Sequence, residues 1–167
     1  LGMLFAAFAL LIACLAYKVA TLRPKLNLVI WAWMGEEKIL TLLVNKDTNQ
    51  VPTVKPNTAL HFRLENNGQA TAKYPVVEII FKEAFFRDDQ FTGWDPIYHA
   101  NALGWYGFRW DKGDSIVIHP GLPVLLPVMD FVGAEIDEPL QIEISIIADG
   151  FDKHSYSLPV KIKYVDY

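Results

Sequence analysis

The sequence predicts an all-β protein, an antiparallel β-sandwich preceded by one N-terminal transmembrane helix. Three observations carry this. Residues 1–17 are apolar and carry no charge. Beyond residue 26, apolar side chains recur at every second position in short runs separated by turn residues, the period of half-buried strands. No stretch after the first 22 residues has the 3.6-residue apolar period of a soluble helix.

The first element, residues 1–22, reads LGMLFAAFALLIACLAYKVATL, with Lys18 as its one charge. About 20 residues at 1.5 Å each match a hydrocarbon core of roughly 30 Å. Lys18 lies near the end, where its long side chain reaches the interface. A basic junction comes next, Arg23-Pro24-Lys25, and the proline ends the helix. Positive charges behind the segment favour a cytoplasmic location for the domain beyond it. A second reading competes. Leu11-Ile12-Ala13-Cys14 resembles a bacterial lipobox, in which the segment is a signal peptide and Cys14 becomes the lipidated first residue. That reading puts the domain outside the cytoplasm. The apolar run continuing through Leu15, Ala16 and Tyr17 counts against it.

The remainder, residues 26–167, suits one domain. Leu26, Leu28 and Ile30 alternate with Asn27, Val29 and Trp31, giving the first strand. Residues 38–44 form a second apolar run, and 45–57, with two prolines, reads as a loop. In 58–65, Leu60, Phe62 and Leu64 face one way, and His61, Arg63 and Glu65 the other. Asn66-Asn67-Gly68 is then a turn signal. The next strand, 74–82, points Val77, Ile79 and Phe81 inward. Two short strands, 115–118 and 124–129, are joined across His119-Pro120-Gly121. The last pair, 140–148 and 157–164, directs Ile142, Ile144, Ile146, Leu158, Val160 and Ile162 to the core. Pro159 on the outward side fits an edge strand.

Several of these segments resemble a known group. They are the apolar helix, the Arg-Pro-Lys-Leu junction at 23–26 and the strand closing in Leu-Glu-Asn-Asn-Gly-Gln-Ala at 64–70. To these add Val-Val-Glu-Ile-Ile at 76–80, the Ile-His-Pro-Gly turn at 118–121 and the final strand pair. The chain is similar to uncharacterised bacterial single-pass membrane proteins carrying an immunoglobulin-like domain, and to adhesion-type sandwich modules of bacterial surface proteins. The resemblance implies an immunoglobulin-like sandwich and no particular chemistry.

Charge excludes one class of function. From residue 26 onward the chain holds 12 Lys and Arg against 19 Asp and Glu, a net charge of −7. Phosphate contacts need clustered cations, so no nucleic acid is expected as a partner. The membrane-flanking Lys18, Arg23 and Lys25 read as headgroup contacts instead. Cys14 is the only cysteine, so no internal disulfide exists and a Cys-ligated copper or zinc site is excluded. The four histidines, His61, His99, His119 and His154, share no metal-ligand spacing. Asp88-Asp89 and Asp111-x-x-Asp114 lack the spacing of a Ca²⁺ loop, and Asp111-Lys112-Gly113-Asp114 reads as a hairpin turn. No nucleophile elbow, P-loop or dinucleotide fingerprint occurs, so neither enzyme activity nor a cofactor is expected.

The densest unusual stretch is 85–110, with nine aromatics and three interleaved glycines. Phe91, Trp94, Tyr98, Trp105, Tyr106 and Trp110 are the candidate contacts for a partner or ligand, since aromatics anchor interfaces and stack on sugars. The competing expectation is that these rings pack over an open side of the sandwich. Trp31 and Trp33 share a face of the first strand, where core packing is expected over contact with lipid. Two functions remain. One is a membrane-anchored, non-catalytic interaction or accessory module, a subunit of a larger membrane assembly, with the bilayer and another protein as partners. The alternative is an exported lipoprotein-type domain that binds a ligand or carbohydrate.

Overall fold

The structure, a computed structural model, describes residues 2–32, 40–45, 53–54, 58–85, 91–97, 105–131 and 135–165. It begins with helix α1, Gly2–Thr21, 20 residues long. Every described side chain from Phe5 to Lys18 is exposed, including Phe5, Phe8, Leu10, Leu11, Ile12, Leu15 and Tyr17. Among the described residues no helix is long and apolar enough to cross a membrane. The 20 residues of α1 span about 30 Å along the helix axis.

The strands are, in chain order, β1 (Leu26–Ala32), β2 (Leu40–Asn45), β3 (Thr53–Val54), β4 (Thr58–Asn66), β5 (Ala72–Phe85) and β6 (Asp95–Pro96). Then come β7 (Tyr106–Asp111), a 3₁₀ turn at Gly113–Ser115, β8 (Val117–Ile118), β9 (Val124–Phe131), β10 (Glu135–Asp149) and β11 (Phe151–Val165). They make two sheets. The smaller has the order β1-β4-β9. In the larger, the long strands lie side by side as β11-β10-β5-β7. Pairing is antiparallel with one exception among the described residues: the second half of β11 runs parallel to β2, from Val160 opposite Leu40 to Val165 opposite Asn45.

The period-two pattern sets which side chains meet between the sheets. Leu26, Leu28, Ile30, Leu60, Phe62 and Leu64 come from the small sheet; Val77, Ile79, Phe81, Ile142, Ile144 and Ile146 come from the large one. All are at most 5 % exposed. Burying one such side chain stabilises by about 1.5–3 kcal/mol, so this interleaved layer dominates the fold. Where the period breaks, a bulge explains it. His61 of β4 stands opposite both Pro127 and Val128 of β9, so Leu126 and Met129, three apart, are both buried. On β5, Tyr74 and Pro75 together oppose Ala148. Tyr74 takes φ +53°, in the left-handed region that costs a non-glycine residue energy, and its side chain is 46 % exposed.

The three predicted turns serve different connections, and one is corrected. Asn66-Asn67-Gly68 turns the chain after β4, as expected, but toward another sheet. β4 and β5 belong to different sheets, and neither Asn67 nor Gly68 has the positive φ that a two-residue hairpin needs. His119-Pro120-Gly121 joins β8 to β9 as expected, carrying the chain from the large sheet to the small one. Asp111-Lys112-Gly113-Asp114, expected as a hairpin turn, is the correction. β7 and β8 both pair with β5, so the segment interrupts one edge rather than reversing it.

Candidate functional site

Asn66 is the one buried polar residue among the described residues, 1 % exposed. The alternation Leu60, Phe62, Leu64 turns it inward, at the end of β4 nearest α1. A buried amide is stable only with partners, and this one has four. Its Oδ1 accepts from the backbone N–H of Lys25 at 3.1 Å and of Gly68 at 3.0 Å. Its Nδ2 donates to the carbonyls of Ala70 at 2.7 Å and Ile118 at 3.1 Å. Its own carbonyl accepts from Gly121 at 3.0 Å, and the neighbouring Asn67 N–H donates to Lys25 O at 2.8 Å. One residue thereby ties the helix exit to the β4–β5 and β8–β9 connections.

Gly68 completes the junction. A Cβ there would lie 2.5 Å from the Arg23 carbonyl oxygen and 2.7 Å from the Pro24 carbonyl carbon. Only a residue without Cβ lets the two backbones come this close. Pro24 is buried, while Arg23 and Lys25 are exposed. Arg23 pairs with Asp152 at 3.2 Å, both side chains largely in solvent. A cleft of about 280 Å³ opens here, lined by Arg23, Pro24, Gly150, Phe151, Asp152, Lys153 and His154. Lys18 lies in the last turn of α1 and Cys14 is exposed on it.

The aromatic candidates separate into core and surface. Trp94 is 4 % exposed and Trp110 2 %, both within the main core cluster. As contacts for a partner or sugar these two are corrected, because their indoles are spent on packing. Trp94 stands edge-on to Phe62 with centroids 5.2 Å apart, and its Nε1 donates to Pro127 O at 3.0 Å. Gly93, at φ +84°, makes the tight turn that delivers it, with the Trp94 N–H donating to Phe91 O at 2.9 Å. Phe91 is half-buried, edge-on to Phe108 at 4.9 Å. Tyr106 is half-buried against the same core. Trp105 is half-buried under Lys82, whose Nζ lies 4.4 Å from the ring centroid and also pairs with Glu143. Tyr98, with His99, lies outside the described residues, as does Trp33. Trp94 and Trp110 thus pack into the core between the sheets, while Phe91, Trp105 and Tyr106 stay partly accessible.

Trp31 is a further correction. It is not in the core but on the outer face of the small sheet, stacked on His61 at 5.4 Å with Arg63 5.7 Å from its ring. Arg63 also pairs with Glu65 at 2.8 Å. His119 is exposed, with Nδ1 3.4 Å from the Thr71 hydroxyl, and His154 is exposed beside Tyr156. No group of three or more His, Cys, Asp or Glu is placed to hold a metal among the described residues.

Sequence reasoning missed Tyr156. It lies on β11, and its hydroxyl donates to Leu28 O of β1 at 3.1 Å. Burial pushes its pKa above the usual tyrosine value. Sequence reasoning also took Asn66 only as a turn residue. The signal was present, since Asn66 continues the inward parity of Leu60, Phe62 and Leu64.

No described protein family matches the chain, and no curated protein does. Several solved structures are distantly similar. The sporulation control protein Spo0M from Bacillus subtilis matches with TM-score 0.38 at 12 % identity, over 84 % of this chain and 49 % of that one. A GH20 exo-β-N-acetylglucosaminidase from Vibrio harveyi gives 0.38 at 9 %, over 84 % and 18 %. AvmM, which catalyses macrocyclization in alchivemycin A biosynthesis, gives 0.37 at 10 %, over 83 % and 89 %. The chain therefore spans about half of the first structure and under a fifth of the second. Likeness at this level carries no functional argument.

Proposed function

We propose that this protein is a membrane-anchored, non-catalytic interaction module that serves as an accessory subunit of a membrane assembly, with α1 crossing the bilayer and an immunoglobulin-like sandwich held close to it. One observation carries the reading. The large apolar side chains of α1 from Phe5 to Tyr17 all stand 53–74 % exposed among the described residues. Such a helix is stable only when something apolar covers it, and lipid does so on every side at once. Lys18, Arg23 and Lys25 fall behind it, where cations meet headgroups. The immunoglobulin-like part is supported by strand order. Three long strands, β1-β4-β9, face four, β11-β10-β5-β7, the division of an A-B-E sheet against a G-F-C-C′ sheet. Partner contact falls to the partly accessible Phe91, Trp105 and Tyr106.

The test is fractionation of the full chain expressed in a bacterial membrane. Resistance to alkaline carbonate and release by detergent are expected, together with an intact mass that retains the residues before Cys14. Lipid mass on Cys14 with loss of those residues replaces the spanning helix by the lipoprotein reading and moves the domain outside the cytoplasm. Release by carbonate with no lipid refutes membrane anchoring. Cross-linking in native membranes tests the accessory role, and recovery of monomer alone refutes it. The burial of Trp94 and Trp110 removes two of the three indoles on which carbohydrate binding rested.

A further inference from the structure

We propose that the end of the sandwich nearest α1 docks on the bilayer interface, as a second membrane contact made by Tyr74, Val117 and Leu122 with Lys25 and Lys153. This rests on the reading that α1 lies in the bilayer. The argument begins with reach. Only residues 22–25 separate Thr21, the last helical residue, from Leu26, the first of β1. Four residues span at most about 14 Å. The backbone of Arg23 and Lys25 is further held by hydrogen bonds to Gln69, Asn66 and Asn67. The headgroup layer on each side of the hydrocarbon core is about 5–8 Å thick. A domain tethered this tightly meets that layer with whichever end carries the tether.

The chemistry of that end suits the layer. Outside α1, the described residues include five exposed large apolar side chains: Tyr74, Val117, Leu122, Leu125 and Val128. Single exposed apolar residues are ordinary, but three of these five cluster at the tethered end. Leu122 is 62 % exposed in the turn that Asn66 holds through Gly121. Val117 pairs with Lys73, and Tyr74 is the next residue along β5. Tyr74 is directed outward by a bulge whose φ of +53° is costly for tyrosine, and tyrosine is enriched at membrane interfaces. Lys25 and Lys153 are exposed on the same end, the latter in the cleft with Arg23 and His154. Asp152, the acid of that cleft, is paired with Arg23. Asp149, exposed on the same end, stands opposite the exposed Lys73, so Arg23, Lys25, Lys73 and Lys153 outnumber its acids Asp149 and Asp152 beside the apolar tips.

The full chain with Cys14→Ser, reconstituted into phosphatidylcholine–phosphatidylglycerol vesicles, provides the test. Single cysteines are introduced by Leu122→Cys, Tyr74→Cys and, as a distal control, Asp130→Cys, and each is labelled with an environment-sensitive fluorophore. Asp130 pairs with Ala59, seven residues along β4 from Asn66, about 23 Å away. Probes at 122 and 74 are expected to shift to the blue and lose fluorescence to nitroxides carried near the headgroups, while the probe at 130 does neither. If the protein floats with the vesicles and resists carbonate but no probe is quenched, α1 is embedded and the docking is overturned. Equal quenching at all three positions overturns it as well, because the contact is then not confined to this end. If the protein does not float, the anchored reading fails and takes the docking with it.

Discussion

Replacing Asn66 tests the junction most directly. Asn66→Ala removes four hydrogen bonds and leaves the N–H groups of Lys25 and Gly68 and the carbonyls of Ala70 and Ile118 without this partner. Each such bond contributes about 0.5–1.5 kcal/mol net. Lys25 and Gly68 lie near the surface, so water replaces the amide and their loss falls at the low end. Ile118 is fully buried, and its carbonyl bears a larger penalty. The expected loss is about 3 kcal/mol. Asn66→Asp keeps the shape and the two accepted bonds but turns a carboxylate oxygen toward the Ala70 and Ile118 carbonyls. Burial and those carbonyls raise the pKa of the new acid in the folded state. A raised acid contributes stability below its unfolded value, near 4, and loses it as pH rises through the folded value. Asn66→Asp is therefore as damaging as Asn66→Ala at pH 7 and partly recovers near pH 4. Asn67→Ala, exposed and bonded only through its backbone, stays within about 0.5 kcal/mol of wild type. The assay is urea unfolding of the detergent-solubilised chain followed by tryptophan fluorescence, each variant compared with wild type at the same pH. A loss under about 1 kcal/mol for Asn66→Ala refutes the claim that this amide holds the junction.

The same geometry fixes three further outcomes. Gly93→Ala forces a Cβ to 2.6 Å from Pro127 Cγ at φ +84° and is expected to cost about 1–3 kcal/mol, with a red shift of the Trp94 emission as its ring is displaced. Tyr156→Phe loses the bond to the Leu28 carbonyl, about 1 kcal/mol at neutral pH. The raised pKa of Tyr156 means that wild-type stability is fully present below about pH 10 and falls as pH climbs toward the folded value. Tyr156→Phe removes this contribution, so the gap between the two proteins narrows in alkaline denaturation titrations. Arg23→Ala breaks an ion pair whose side chains are 71 % and 94 % exposed, so unfolding shifts by no more than about 0.5 kcal/mol.

The strands were legible because burial imposes a period that sequence displays directly. Leu60-His61-Phe62-Arg63-Leu64-Glu65 folds as its alternation says, and so do Val77-Ile79-Phe81 and Ile142-Ile144-Ile146. Turns were less legible because their residue types fit several outcomes. Asn-Gly suits a hairpin, yet Gly68 is needed for a close approach of distant backbone, which no local pattern encodes. The aromatic stretch misled for a related reason. Trp94 and Trp110 resemble surface anchors in composition, but whether an indole is spent inside depends on the gap between the edges of the two sheets. That gap is a property of the assembled layers. Trp31 departs in the opposite sense: its parity with Asn27 and Val29 sets it on the outer face, against the tendency of a strand tryptophan to lie in the core.

The edges of the small sheet explain why these aromatics are where they are. Sheet edges present backbone groups without ladder partners and invite pairing with other chains. Among the described residues, in the order β1-β4-β9, both β1 and β9 are edges. Tyr156 reaches from β11 and donates to the Leu28 carbonyl on one of them, and Trp94 reaches from beside β6 and donates to the Pro127 carbonyl on the other. In each case a large ring fills the opening between the sheets while its polar tip binds edge backbone. Asn66 does the same at the tethered end with an amide in place of a ring. A sandwich closed on these sides is poorly disposed to recognise a partner by strand addition at those points. On the proposed function, partner contact is left to the half-buried Phe91, Trp105 and Tyr106 and the end face around Leu122. Of these, only the end face is fixed by a tether of four residues to a helix that itself requires an apolar cover.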